Sequence, residues 1–223
     1  MVRRVTPERY QKIRRTLEKR QPDLTVLLEN VHKPHNFSAI LRTCDAVGVF
    51  EAHAITPEGG LRPSGGIASG SHRWVRVNRW STLDSALAPL RDRGVQLLAA
   101  HPAPEAIDFR DVDYTKPTAV LLGQELDGLT EEALGAADRL VIIPMHGFVE
   151  SLNVSVATAL ILFEAQRQRF DAGMYESCRL DDETFQKTLF EWTQPEISEL
   201  CRRRSLDYPD LDEEGEPVGW VER

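Results

Sequence analysis

The sequence predicts an α/β fold: a mostly parallel sheet flanked by helices, with helical extensions at both ends. Three observations predict it. Strand-like and helix-like segments alternate along most of the 223 residues, the pattern of parallel sheets built with helical crossovers. The strand-like segments, LTVLLE at 24–29 and TAVLL at 118–122 among them, are continuous apolar runs, as in strands covered on both faces. Beyond residue 170 the strand signal stops and two short helical patterns precede an acidic tail.

In chain order, Thr6-Pro7-Glu8 is a helix start, with a capping residue, Pro in the first turn and an acid behind it. That helix runs to about Arg20, where Gln21-Pro22 stops it. Residues 24–29 form the first strand. A helix follows from Phe37 to Val47, with Asn36 as its candidate cap and Gly48 as its end. Short strands are expected over 52–56 and 74–77, joined by a loop rich in Gly and Pro at 57–66. An amphipathic helix covers 82–93, and strands cover 96–100 and 118–122. Thr130 caps a helix over 131–137. A strand over 140–143 ends at Pro144, and a long helix spans 152–170. Helices at 181–192 and 195–204 complete the chain, before a tail expected to be poorly ordered in part. Residues 1–20 thus read as a basic helical arm, 21–170 as the core and 171–223 as a C-terminal extension.

Length and a 41% hydrophobic content suit a packed domain that needs neither disulfides nor metal. No run of 18 apolar residues is present, so no membrane span is expected. The N-terminus has no apolar core of a secretory signal. Three cysteines without CxxC spacing fit a reducing cytoplasm better than a disulfide or zinc framework. Net charge is −8, which alone argues against nucleic acid, but its distribution is uneven. Residues 1–20 carry +6, residues 21–170 carry −5 and residues 171–223 carry −9. A basic arm on an acidic body is a candidate phosphate contact, and equally a solvated helix face.

Familiar site motifs are missing. No GxxxxGK[ST] makes a P-loop, and no GxGxxG follows the first strand. The run from Gly65 to Ser71 follows a weak strand and reads as a loop. HExxH and GxSxG are absent, so neither a metalloprotease nor a nucleophile-elbow site is expected.

Three segments carry chemistry instead. The first is Asn30-x5-Asn36-x5-Arg42. Arg42 sits among Leu41 and other apolar residues; on a half-buried helix it must find an anion or a carbonyl. Asp45 is one candidate partner and a substrate phosphate another. The second is Leu122-Gly123-Gln124-Glu125, where a strand ends in Gly at the edge where parallel sheets bind ligands. The third is Ile143-Pro144-Met145 through Ser151-Leu152-Asn153. Its polar residues either cap the next helix or, with free backbone N–H groups, form a polar site at the helix start. That helix is apolar all round, as a core helix or a dimer interface would be.

Together and in this order, the segments LLENVHKPHNFSAILRTCDAVGV, DYTKPTAVLLGQELDGLT and SLNVSVATALILFEAQRQR resemble the three motifs of the SPOUT RNA 2′-O-ribose methyltransferases. The resemblance covers residues 6 to about 180 and is strongest to tRNA-modifying members. It implies a deep C-terminal trefoil knot, a homodimer with the active site at the subunit interface, and S-adenosylmethionine (AdoMet) as methyl donor. The implied activity is methylation of the ribose 2′-hydroxyl of guanosine 18 in the tRNA D-loop. It also implies catalytic or orienting roles for Arg42, Asn36, Glu125, Ser151 and Asn153. Positions matching the cofactor contacts are Ala100, Leu122, Gly123, Ile143, Met145, Ser151 and Leu152. Arg14, Arg15, Lys19, Arg20, Arg167 and Arg169 are the basic residues expected to meet tRNA. Neither a metal nor a membrane is implied. Two other readings remain: a ribosomal RNA 2′-O-methyltransferase of the same superfamily, and a noncatalytic RNA-binding protein that keeps the fold.

Overall fold

Thr6, Pro7 and Glu8 open helix α1 (Pro7–Glu18), the Thr6 hydroxyl accepting from the Arg9 N–H at 3.3 Å. The computed structural model describes residues 5–31, 33–56, 73–124 and 127–219. The remaining elements are β1 (Leu24–Glu29), α2 (Pro34–Val47), β2 (Glu51–Ile55), β3 (Arg76–Trp80), α3 (Leu83–Asp92), β4 (Gln96–Ala100), β5 (Ile107–Asp108), β6 (Thr118–Leu122), α4 (Glu131–Ala136), β7 (Arg139–Ile142), α5 (Val154–Asp171), α6 (Asp182–Thr193) and α7 (Pro195–Arg204). The chain divides into two compact units. One is residues 21–174; the other combines the described residues before 21 with those after 174.

In the larger unit seven parallel strands lie in the order β3-β2-β1-β6-β4-β7-β5. Strand β6 sits between β1 and β4, both laid down earlier in the chain, an order consistent with the expected knot. Every residue of β1 and β6 is buried, as their continuous apolar runs require. Alternation along these strands splits the core. Leu24, Val26, Leu28, Val120 and Leu122 face α2 and α5, whereas Leu27, Ala119 and Leu121 face α3 and α4. The expected loop at 57–66 lies outside the described residues.

Several boundaries differ from expectation. Helix α2 starts at Pro34, with Lys33 at the cap position, so Asn36 lies inside its first turn and is not the cap residue. Pro is favoured at the first helical position because its missing N–H would have no partner there. Strand β3 lies two residues later than expected; as an edge strand carrying Arg76, Asn78 and Arg79 it has little apolar signal. Two-residue β5 has no sequence signal of its own.

In the smaller unit Tyr10, Ile13 and Leu17 form the buried face of α1, which packs against α6. The acidic tail is held at several points as far as Val218: Gln194 Nε2 donates to the Gly215 carbonyl at 2.8 Å, Leu211 pairs with Pro217, and the Val218 N–H donates to the Asp210 carbonyl at 2.8 Å. A Cβ on Gly215 would fall 2.6 Å from the Tyr10 ring, so the close approach requires glycine. Among the described residues no helix is long and apolar enough to cross a membrane.

Candidate active site

In a parallel sheet all carboxyl ends share one edge, and loops there bind ligands. Strands β6, β4 and β7 are consecutive in the sheet. Leu122 ends β6, Ala100 ends β4, and Ile143 and Met145 directly follow β7, so the sequence-predicted cofactor positions converge on one stretch of that edge. Leu122 is buried; Ala100, Gly123, Ile143, Met145 and Leu152 are half-buried; Ser151 is exposed.

Gly123 has a structural demand that the sequence reading did not anticipate. A Cβ there would meet the Gly128 carbonyl oxygen at 2.1 Å, so the glycine makes room for the loop's own return. Backbone hydrogen bonds between Gln124 and Gly128, at 3.2 and 3.1 Å, close that return. The Gln124 side chain also donates to the Asp127 carboxylate. Glu125 lies outside the described residues.

The first and third motifs meet through two asparagines. Asn153 is the cap of α5, its Oδ1 accepting from the Ser155 N–H at 2.9 Å and the Ser155 hydroxyl at 2.6 Å. That capping role turns its amide nitrogen toward α2, where Nδ2 donates to Asn36 Oδ1 at 3.2 Å. Asn36 is 4% exposed, so the pair is a partly buried polar link between helices 117 residues apart in sequence. Arg42 lies six residues further along α2, about 120° around its axis from Asn36. It is exposed. Burial is therefore not what gives this position its partner, because the helix turns it to the surface.

Glu29, to which the sequence reading gave no role, and Asn30, which heads the first motif, stand at the same edge. Glu29 ends β1 and is 5% exposed, yet both its oxygens are used, accepting from the Thr130 N–H and hydroxyl at 2.8 Å each. Asn30, next to it, adopts φ 54°, a left-handed conformation that asparagine tolerates better than most residues. Its Oδ1 is buried and has no hydrogen-bond partner. An acid closing an otherwise apolar strand was the available signal for Glu29. A cleft of about 700 Å³ opens nearby, lined by His101, Ile107, Glu131, Leu134, Asp138 and Leu140. None of the predicted cofactor positions lines it.

The expected RNA contacts fare unevenly. Arg14 and Arg15 are exposed on α1 and Lys19 is exposed just past its end, Arg14 beside Glu18 at 3.3 Å. Arg20 is fully buried, with its guanidinium 5.2 Å from the Trp192 ring centre. Arg167 is exposed, but Glu164 at 2.7 Å and Asp171 at 3.0 Å already balance its charge. Arg169 is fully buried. Its five N–H groups meet the Tyr114, Asp23 and Lys116 carbonyls, Gln21 Oε1 and Asp23 Oδ1. Arg20 and Arg169 are thus corrected from RNA contacts to internal residues: a guanidinium without exposure cannot reach a phosphate.

The chain is similar to known proteins over most of its length. The model of the SpoU rRNA methylase family matches residues 23–163, and that of the SpoU rRNA methylase C-terminal region matches 167–218. The tRNA (guanosine(18)-2′-O)-methyltransferase of Escherichia coli K12 is 51% identical over 214 residues, 95% of this chain and 93% of that protein. The crystal structure of the Aquifex aeolicus TrmH/SpoU tRNA modifying enzyme superposes with a TM-score of 0.79 at 45% identity, covering 85% of this chain and 97% of that one. The SpoU methyltransferase AviRb of Streptomyces viridochromogenes, solved in complex with AdoMet, superposes with a TM-score of 0.61 at 26% identity, over 69% of this chain and 62% of that one. The chain belongs to the SpoU methylase family.

Proposed function

We propose that the chain is an AdoMet-dependent enzyme that methylates the 2′-hydroxyl of guanosine 18 in tRNA. The observation that carries this reading is its likeness, over 95% of its length, to a protein of that activity. The family description names ribosomal RNA, so a ribosomal substrate is the second reading.

The carboxyl edge suits the donor. Adenine binds between apolar walls and backbone polar groups. Ile143, Met145 and Leu152 offer half-buried apolar surface there, while Ala100 and Gly123 add little side chain. With Leu122 and Ser151 these residues would hold AdoMet. When bound, AdoMet supplies a methyl group already activated on a sulfonium. The protein's task is then alignment and charge. Asn36 and Asn153, fixed by their mutual hydrogen bond, orient the ribose with Ser151 and Glu125. The positive charge of Arg42 stabilises the 2′-oxygen as the proton departs to solvent or an RNA phosphate.

The enzyme works as a homodimer in the cytoplasm. Support for the dimer comes from α5, where Val156, Leu160, Phe163 and Phe170 leave an exposed apolar stripe on one face. For tRNA, the exposed basic residues of α1 (Arg9, Lys12, Arg14 and Arg15), with Lys19 just past its end, supply the phosphate contacts. The reading is tested by incubating the full chain with methyl-labelled AdoMet and either unmodified tRNA or ribosomal RNA. Label entering tRNA alone is expected; label entering ribosomal RNA alone supports the second reading.

A further inference from the structure

The loop from Gly123 to Thr130 is held at both ends. At its start, Gly123 leaves no space between itself and the Gly128 backbone. At its finish, Thr130 is gripped by Glu29 from the neighbouring strand, through hydrogen bonds of 2.8 Å to its N–H and its hydroxyl. Thr130 in turn caps α4, its Oγ1 accepting from the Ala133 N–H at 3.2 Å. Carboxylate, hydroxyl and helix start thus form one chain of hydrogen bonds, with the negative group near the positive end of the helix. Leu27, two residues before Glu29, packs on the same sheet face as Leu129 and Ala133. Burying a carboxylate costs several kcal/mol unless its partners are well placed. An apolar residue would fill this position more simply if only packing were needed.

We propose that Glu29 is a positioning residue for AdoMet: by fixing Thr130 it fixes the loop that begins at Gly123, and so sets affinity for the donor. The tight Gly123–Gly128 return leaves no slack, so displacement at Thr130 is passed back to Gly123. This rests on the reading of Gly123 as a cofactor position.

The test is calorimetric titration of AdoMet into the full chain and its variants. Glu29→Gln keeps the size and removes the charge. It is expected to weaken AdoMet binding at least fivefold and raise KM for AdoMet by a similar factor, with a smaller effect on kcat. Hydrogen exchange at residues 127–130 should quicken. Thr130→Val removes the hydroxyl from an exposed position and should shift affinity in the same direction by less. In the double variant the two effects should overlap rather than multiply, because both break one link. A folded Glu29→Gln chain that binds AdoMet as tightly as the parent overturns the proposal, even if it melts earlier. Should that variant not fold, Thr130→Val decides alone, and unchanged affinity overturns it. A parent chain that takes up no AdoMet overturns the underlying reading instead, a result distinct from parent and variant binding alike.

Discussion

Arg20, Arg42 and Arg169 look alike in sequence, each an arginine expected on or at the end of a helix, and the fold gives them different work. Arg169 braces the end of α5 against the residues that precede β1 and β6, with all five N–H groups satisfied. Arg169→Met should lower stability by about 3 kcal/mol, since it strands the Asp23 carboxylate and three carbonyls; denaturant unfolding measures this. Arg42, exposed, is expected to act in turnover instead. Arg42→Ala should abolish methyl transfer and leave AdoMet affinity within about twofold. Arg42→Lys separates a fixed charge from a fork that holds two oxygens, and it should fail nearly as badly as Ala, because a point charge cannot bridge both. Single-turnover rates at saturating tRNA are the readout. Which arginine would be buried was not legible in the sequence: helix periodicity indicates a face, but the partners of Arg169 lie 53 to 148 residues away.

Capping chemistry was the most legible part of the elements. Thr6, Thr82, Thr130 and Asp181 each cap a helix at or within a residue of its expected start. Asn36 shows where such reasoning slips, because Pro34, two residues earlier, takes the first helical position instead. Helix α5 was read as apolar on every side; in one chain it buries Val154, Ile161, Leu162 and Ala165 and exposes Val156, Leu160 and Phe163. Leu160→Glu should therefore leave the chain folded and shift it from dimer to monomer, which light scattering and circular dichroism together check. On β2, burial opposes the charge of Glu51, but the His53 ring 3.6 Å away, a hydrogen bond from the Asn78 amide and the Arg93 guanidinium at 2.8 Å outweigh it and hold the carboxyl at about 2. A lowered carboxylate adds stability in full above its unfolded value of 4.5, and loses it as pH falls from there toward about 2. Glu51→Gln should flatten that stretch of the stability profile. Helix α1 is a packed element as well as a basic one, with Tyr10, Ile13 and Leu17 buried. Reversing Arg9, Lys12 and Arg15 to Glu is thus a cleaner test of RNA contact than deleting the helix. It should weaken tRNA binding at least tenfold and reduce its salt dependence.

For the whole molecule, the α/β class and the parallel sense of the sheet followed from continuous apolar strands. Strand order did not, because nothing local in TAVLL says that it will enter between β1 and β4. The three candidate segments were legible because polar residues at strand ends stand out against apolar runs, and resemblance to one family's motifs joined them. Its second layer was not: Glu29 and Thr130 meet across 101 residues, and the demand on Gly123 comes from a carbonyl in its own loop. The central claim is that this edge of the sheet places a methyl group on one ribose of tRNA. Its most direct test is mass spectrometry of nuclease fragments after an unmodified tRNA transcript has been treated with the protein and AdoMet. The account predicts one 2′-O-methylguanosine, at position 18, and no methylation when Arg42→Ala replaces the parent chain. Methylation at another position or on a base, or full activity in the Arg42→Ala chain, would contradict it.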